Sequence, residues 1–162
     1  MIVIVMGVVG AGKTLIGTLL AKRLGWEFAD ADDFHSPENK EKMHQGIALT
    51  DTDRVPWIET LHEVLSEWDA GNRSGILACS ALKESYRQRL SEGLKVRWVY
   101  LKGDPQIIKQ RLAERHGHFA DEKILQSQLE TLQEPRDAII VDIQGTPEEV
   151  IQEITLKLNS QP

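Results

Sequence analysis

Gly7-Val8-Val9-Gly10-Ala11-Gly12-Lys13-Thr14, preceded by the apolar run Ile2-Val3-Ile4-Val5-Met6, is the stretch that decides the fold. The octet has the spacing G-x-x-x-x-G-K-[ST] of a phosphate-binding loop. Glycines at these positions let successive backbone N–H groups turn inward on a β-phosphate, and the following helix offers the positive end of its dipole. Lys13 then reaches the β- and γ-phosphates, and the Thr14 hydroxyl is placed to ligate Mg²⁺. The pattern alone recurs in unrelated chains, so its flanks matter. Five apolar residues without alternation read as a strand buried on both faces of a parallel sheet. Leu15, Ile16, Leu19, Leu20 and Leu24 then fall at helical spacing, and Gly25 stands where a C-cap is expected. Strand, loop and helix together predict a nucleoside triphosphate site built from Gly7, Val8, Val9, Gly10, Ala11, Gly12, Lys13 and Thr14.

The chain has 162 residues, enough for a single domain (1–162) that buries about 70% of its unfolded surface. Hydrophobic residues make up 41% and charged residues 27%, as in ordinary globular proteins. No apolar run approaches the ~20 residues of a membrane span. The first residues lack the basic segment and cleavage site of a secretory signal, and the single cysteine, Cys79, suits a reducing compartment. A cytoplasmic location is therefore expected. The net charge of −6 argues against a nucleic-acid or anionic-membrane surface, while leaving room for a local basic pocket.

Beyond the first helix, Trp26–Ala29 reads as a second strand that runs into Asp30-Ala31-Asp32-Asp33-Phe34-His35. In open α/β sheets the ligand crevice lies outside the carboxyl ends of the strands, so these carboxylates are expected at the mouth that holds the phosphate loop. Residues 35–54 are polar and poorly periodic, with one short helix expected from Pro37 to His44. Polar segments of this length inside a compact domain are usually functional. Pro56 is expected to open a helix, since Trp57, Leu61, Val64, Leu65 and Trp68 share one face. Strands are expected at 75–79, 96–101 and 138–142. Ser80 is expected to cap a helix carrying Tyr86, Arg87 and Leu90, and Asp104-Pro105 to start another that ends in Arg111, Arg115 and His116-Gly117-His118-Phe119. Two arginines on one helical face beside a glycine suit a lid, at about 116–128, that closes over phosphates. Thr146-Pro147-Glu148-Glu149 reads as the capping box of a last helix. The pattern predicts an α/β fold, a five-stranded parallel sheet sandwiched by helices.

A phosphate loop leaves the acceptor open, since kinases, switch GTPases and motor ATPases all use it. The chain's other motifs are more discriminating. Asp30-Ala31-Asp32 with His35, Asn39 and Lys42-Met43; Gly46 with Leu49-Thr50-Asp51-Thr52-Asp53-Arg54 and Pro56-Trp57; Cys79-Ser80-Ala81-Leu82-Lys83 with Tyr86-Arg87; Tyr100-Leu101-Lys102-Gly103; Arg111 and Arg115 with Gly117-His118-Phe119; and Ser127-Gln128 through Leu132-Gln133-Glu134-Pro135 occur in that order. Over nearly the whole chain this resembles the gluconokinase family, within the shikimate kinase-like group of P-loop kinases.

The resemblance implies ATP-dependent phosphorylation of D-gluconate to 6-phosphogluconate with Mg²⁺, by a homodimer in the cytoplasm. It also implies roles. Lys13, Arg111 and Arg115 neutralise phosphates, and Arg111 stacks on adenine. Thr14 holds Mg²⁺, assisted through water by Asp30. Asp32 orients the acceptor hydroxyl and takes its proton. His35, Arg54, Lys83, Gln128 and Arg87 hold the gluconate carboxylate and hydroxyls. The family loop usually carries Ser where this chain has Val9 and Ala11, which backbone cradling of phosphate should tolerate. A shikimate or nucleoside monophosphate kinase shares loop and lid but needs another acceptor pocket. A non-catalytic nucleotide-binding regulator needs no acceptor carboxylate.

Overall fold

The computed structural model describes the backbone of residues 1–115 and 119–160 and the side chains of 1–114 and 122–160. In chain order the elements are β1 (Ile2–Met6), α1 (Lys13–Leu24), β2 (Glu27–Asp30), a 3-10 turn (Ala31–Phe34), α2 (Pro37–His44), α3 (Asp51–Ala70), β3 (Gly75–Ala78), α4 (Glu84–Leu90), β4 (Val96–Lys102), α5 (Pro105–Arg115), α6 (Phe119–Thr131), β5 (Ile139–Asp142) and α7 (Pro147–Ser160). All five strands are parallel, in the order β2-β3-β1-β4-β5. This is the sheet that the apolar runs predict, with ends that differ by a residue or so.

β1 lies at the centre, with Ile2 opposite both Gly75 and Val96. Its lack of alternation has a direct cause. Val3 and Val5 enter one core with Leu20 of α1, Ile154 of α7 and Ile108 of α5, while Ile2, Ile4 and Met6 enter a second core with Leu61 and Leu65 of α3. Both faces are covered, so an exposed polar face never occurs. On either side of β1 the chain arrives from opposite directions, through β3 and β4. That is a topological switch point, where the crevice for ligands opens. Met6, Asp30 and Ala78 all end strands at this mouth.

Two helix starts differ from expectation. α3 begins at Asp51 rather than Pro56. Thr50 Oγ1 accepts from Asp53 N–H at 3.1 Å, and the Asp53 carboxylate accepts from Thr50 N–H at 2.9 Å. This capping box satisfies two N-terminal donors and sets the start five residues earlier, and the helix runs on through Pro56. Arg54 consequently sits on the first turn of a rigid helix instead of in a loop.

The second difference is that Ser80 caps nothing. Ala81 takes a left-handed φ of 44°, which keeps the chain out of the helix until Lys83 occupies the cap position of α4 without a side-chain cap. The Glu84 N–H is satisfied instead by Gln133 Oε1 at 2.9 Å. A distant side chain thus replaces the local serine. The other caps are as expected: Gly25 is left-handed at the end of α1, Asp104 Oδ1 accepts from Gln106 N–H at 2.8 Å, and Thr146 and Glu149 bond reciprocally. Among the described residues, no helix is long and apolar enough to cross a membrane.

Candidate active site

The phosphate loop joins β1 to α1. Gly10 and Gly12 adopt φ of 83° and 96°, and a Cβ at Gly10 would meet Leu112 Cγ at 2.8 Å, so α5 packs too closely on the loop for any side chain there. Ala11 N–H donates to Val8 O at 3.1 Å, closing the turn. The α1 N-terminus has Gly12 as its cap and no side chain bonded to its first amides. Those donors face the cavity and suit an anion. Ala11 lies in the core and Val9 packs against it. Both residues also border the cavity, and their apolar side chains are accommodated by this packing.

Lys13 Nζ donates to Val8 O at 3.0 Å. Loss of hydration lowers its pKa, against the opposing pull of Asp32, Cys79 and Asp30. Thr14 Oγ1 donates to Asp30 Oδ2 at 2.6 Å, and Asp30 Oδ1 accepts from Asp32 N–H at 3.0 Å. Both Asp30 oxygens are engaged. Asp32, on the 3-10 turn, instead opens its carboxylate onto a cavity of about 960 Å³. Loss of hydration within this recess pushes the Asp32 pKa up, Lys13 pulls it down, and Asp30 and Asp33 add repulsion.

The cavity is continuous. One half is the phosphate loop with Leu15, Arg111, Ile143, Gly145, Pro147 and Val150. The other is Asp32, His35, Met43, Leu49, Arg54, Trp57, Ser80, Ile124 and Gln128. Arg111 Nη2 donates to Ile143 O at 2.9 Å, which fixes its guanidinium against the loop after β5. From α6, Gln128 Oε1 accepts from Val9 N–H at 2.7 Å and so ties that helix to the phosphate loop. Arg54 Nη1 donates to Leu49 O at 3.1 Å and Tyr86 Oη at 3.3 Å, with its guanidinium 5.5 Å from the Tyr86 ring centre. Tyr86 in turn donates to Asp51, which also pairs with Lys83 at 2.9 Å. The bonds from Tyr86 and Lys83 hold the Asp51 carboxyl below its ordinary value.

Two expected substrate ligands stand elsewhere. Lys83 lies beside Tyr86 in its pair with Asp51 and outside the cavity wall. Arg87 is buried at 4% exposure and also outside that wall. Its Nη1 donates to Ala81 O at 2.7 Å, and its Nη2 to Gln133 O at 2.8 Å and Glu84 at 3.0 Å. These bonds clamp the β3–α4 loop to the segment after α6. The structure therefore gives Arg87 a framework role. Cys79 is buried, with a thiol pushed up to about 12 by burial, and fits the expected small apolar residue. The side chain of Arg115 and residues His116, Gly117 and His118 lie outside the described residues, as does the first part of the expected lid.

Comparison with known proteins now bears on this geometry. The shikimate kinase family model matches residues 9–159. A probable gluconokinase of Xenopus tropicalis is 42% identical over 173 residues, covering 95% of this chain and 91% of its own. The chain belongs to the gluconokinase family. Among solved structures, a gluconokinase from Sinorhizobium meliloti 1021 superposes with a TM-score of 0.84 at 36% identity, covering 98% of this chain and 97% of its own. An unliganded sugar kinase from Janibacter sp. HTCC2649 gives 0.90 at 44% identity, covering 98% and 94%. The fold is that of P-loop kinases.

Within this gluconokinase-family site, several wall residues are ones to which the sequence reading assigns no ligand role. Trp57 belongs to the core at 4% exposure, yet it also faces the cavity and stacks on His35. Helical periodicity marks a buried tryptophan without saying which edge meets a ligand. Ser80 follows β3 at the crevice, and Ile143, Gly145 and Pro147 follow β5. The rule that ligands bind outside the carboxyl ends of strands was the signal available for them.

Proposed function

We propose that the chain transfers the γ-phosphoryl group of ATP to the C6 hydroxyl of D-gluconate, giving 6-phosphogluconate and ADP. One observation carries this: the phosphate loop and the group Asp32, His35 and Arg54 line a single continuous cavity, so that donor and acceptor can meet without leaving the protein. The half bounded by Arg111, Ile143 and Pro147 takes the nucleoside, and Lys13 with the free amides of the loop takes the phosphates. Thr14 and, through water, Asp30 are the oxygen ligands for Mg²⁺. Among the described residues no cluster of three acidic, His or Cys ligands is present, which suits a small hard cation held mainly by phosphates and water. Bound there, Mg²⁺ neutralises β- and γ-phosphate charge.

The protein's task in phosphoryl transfer is alignment and charge neutralisation. Asp32 accepts the hydrogen bond of the attacking hydroxyl and its proton. Gln128, His35 and Ser80 meet the remaining hydroxyls. Arg54 faces the carboxylate, because its fork is held by Leu49 and Tyr86 on a rigid helix and still lines the cavity. Lys83 supports it through Asp51 and Tyr86 rather than by contact. A shikimate or nucleotide acceptor offers no run of open-chain hydroxyls to this polar wall. A regulator has no use for Asp32. The lid read from the arginine pair, the homodimer implied by the family resemblance and the expected cytoplasmic location are parts of the same proposal.

The deciding experiment is coupled ADP release with gluconate, glucose, shikimate and nucleoside monophosphates as acceptors. Gluconate should be strongly preferred. Arg54→Ala should raise its KM about 10- to 100-fold, the value of a charge-assisted bond, and shrink the preference over glucose. A better turnover with shikimate or a nucleotide would overturn the acceptor assignment. The lid has its own test, since amide exchange along α6 should slow when an ATP analogue and gluconate are added together. Unchanged exchange would leave α6 a static wall.

A further inference from the structure

His35 stands at the acceptor end of the cavity, and its surroundings determine which ring nitrogen carries the proton. The ring is 7% exposed and stacks on Trp57, with centres 4.2 Å apart and planes 15° from parallel. Trp57 is itself pinned, since its Nε1–H donates to Ala31 O at 2.7 Å. The ring therefore has one orientation. Asn39, one turn into α2, places its side-chain nitrogen 3.4 Å from His35 Nδ1. That nitrogen also donates to the carbonyl oxygen of Asp53 at 2.8 Å. A carbonyl oxygen accepts only, so the Asn39 amide has to turn its NH₂ group and not its oxygen towards it. One amide hydrogen goes to Asp53 and the other points at His35. Since an NH₂ group cannot accept, Nδ1 is the acceptor and the single ring proton of a neutral imidazole resides on Nε2.

Nε2 has a free direction. Among the described residues no buried side-chain nitrogen or oxygen lacks a partner, and none of the hydrogen bonds between those residues reaches Nε2. Nε2 is therefore open, and the space that His35 borders is the cavity. We propose that Asn39 is a positioning residue that holds His35 as the Nε2–H tautomer, so that the ring donates a hydrogen bond to an acceptor hydroxyl oxygen and takes no part in proton removal. The contact with acceptor rests on the gluconate reading above; the tautomer does not.

Two further features agree with this. Burial, with Arg54 and Lys40 nearby, lowers the His35 pKa to about 4, so the ring stays neutral at physiological pH. The division of polarity is also complementary. Asp32 supplies the acceptor for the reacting hydroxyl, while His35 Nε2–H and Arg54 supply donors for other oxygens. A linear polyol with a carboxylate satisfies this set, with the Nε2–H tautomer meeting a hydroxyl as acceptor and the other tautomer meeting it as donor.

The test is nitrogen NMR of protein labelled at histidine nitrogen, with the His35 signals among the five histidines identified by their loss in His35→Gln. At neutral pH, Nε2 should show the shift of a protonated ring nitrogen and Nδ1 that of an unprotonated one. A proton on Nδ1, or on both, overturns the proposal without reference to activity. In Asn39→Asp the carboxylate accepts instead of donating, so Nδ1 should become protonated. The KM for gluconate should then rise about 5- to 10-fold, the loss of one hydrogen bond, with kcat and the KM for ATP nearly unchanged. A raised KM without the tautomer change would show that Asn39 acts only through packing and sink its assigned role. If the tautomer is as expected but gluconate is not phosphorylated, the acceptor assignment falls and the tautomer assignment remains.

Discussion

Lys13→Met should leave the fold intact and lower turnover by about 10³-fold or more, because a fixed cation at the β/γ-phosphate position is lost while the loop that places it stays. The loop's shape does not depend on the lysine. It is set by the glycine conformations at Gly10 and Gly12, by the Ala11 to Val8 bond and by α5 packing against Gly10. Lys13 is in fact poorly placed for stability, since loss of hydration already lowers its pKa. Circular dichroism should be unchanged and the melting temperature should lie within about 4 °C of wild type. The coupled assay should read near background. Wild-type turnover in a folded Lys13→Met protein would remove this side chain from the mechanism.

The same separation of scaffold from chemistry explains what could be read from the chain alone. β1, the phosphate loop and α1 are legible because local rules agree there: unbroken apolar run, glycines, helical periodicity and a glycine C-cap. Pro56 is a strong local start signal for α3, but the capping box of Thr50 and Asp53 is stronger and starts the helix at Asp51. The cap that local rules give to Ser80 is made by Gln133, and no local rule reaches from residue 84 to 133. Arg87 is the sharpest case. Basic residues near a site suggest a ligand contact, and only the fold shows its guanidinium consumed by Ala81, Glu84 and Gln133. Trp57 and Asn39 show the same limit from the other side, since periodicity marks the tryptophan as core and the polar segment holds the asparagine, and only the fold places the ring of His35 between them. Long-range placement, rather than element type, is what remained hidden.

Asp32→Asn tests the chemistry that the paired aspartates divide between them. Each Asp30 oxygen already accepts one bond, from Thr14 and from the Asp32 amide, which fits the proposed hold on the metal through water better than contact with the acceptor hydroxyl. Among the described residues no hydrogen bond engages the Asp32 carboxylate, and the residue lines the cavity. Its raised pKa makes it a better proton acceptor than an exposed aspartate, while Lys13 opposes that rise and helps to retain the charge. Asparagine preserves size and hydrogen bonding but cannot take a proton. General-base contributions amount to about 10²–10⁴, so kcat should fall within that range. Binding of ATP, measured directly with a fluorescent analogue, should change little, because Lys13, Arg111 and the loop amides are untouched. The split between kcat and KM is decisive: a rise in the gluconate KM with kcat preserved would make Asp32 a ligand for the hydroxyl and leave its proton to the departing phosphate oxygens. A fall in kcat at saturating gluconate would place the proton on Asp32, and the effect should persist in single-turnover experiments, where product release cannot mask the chemical step.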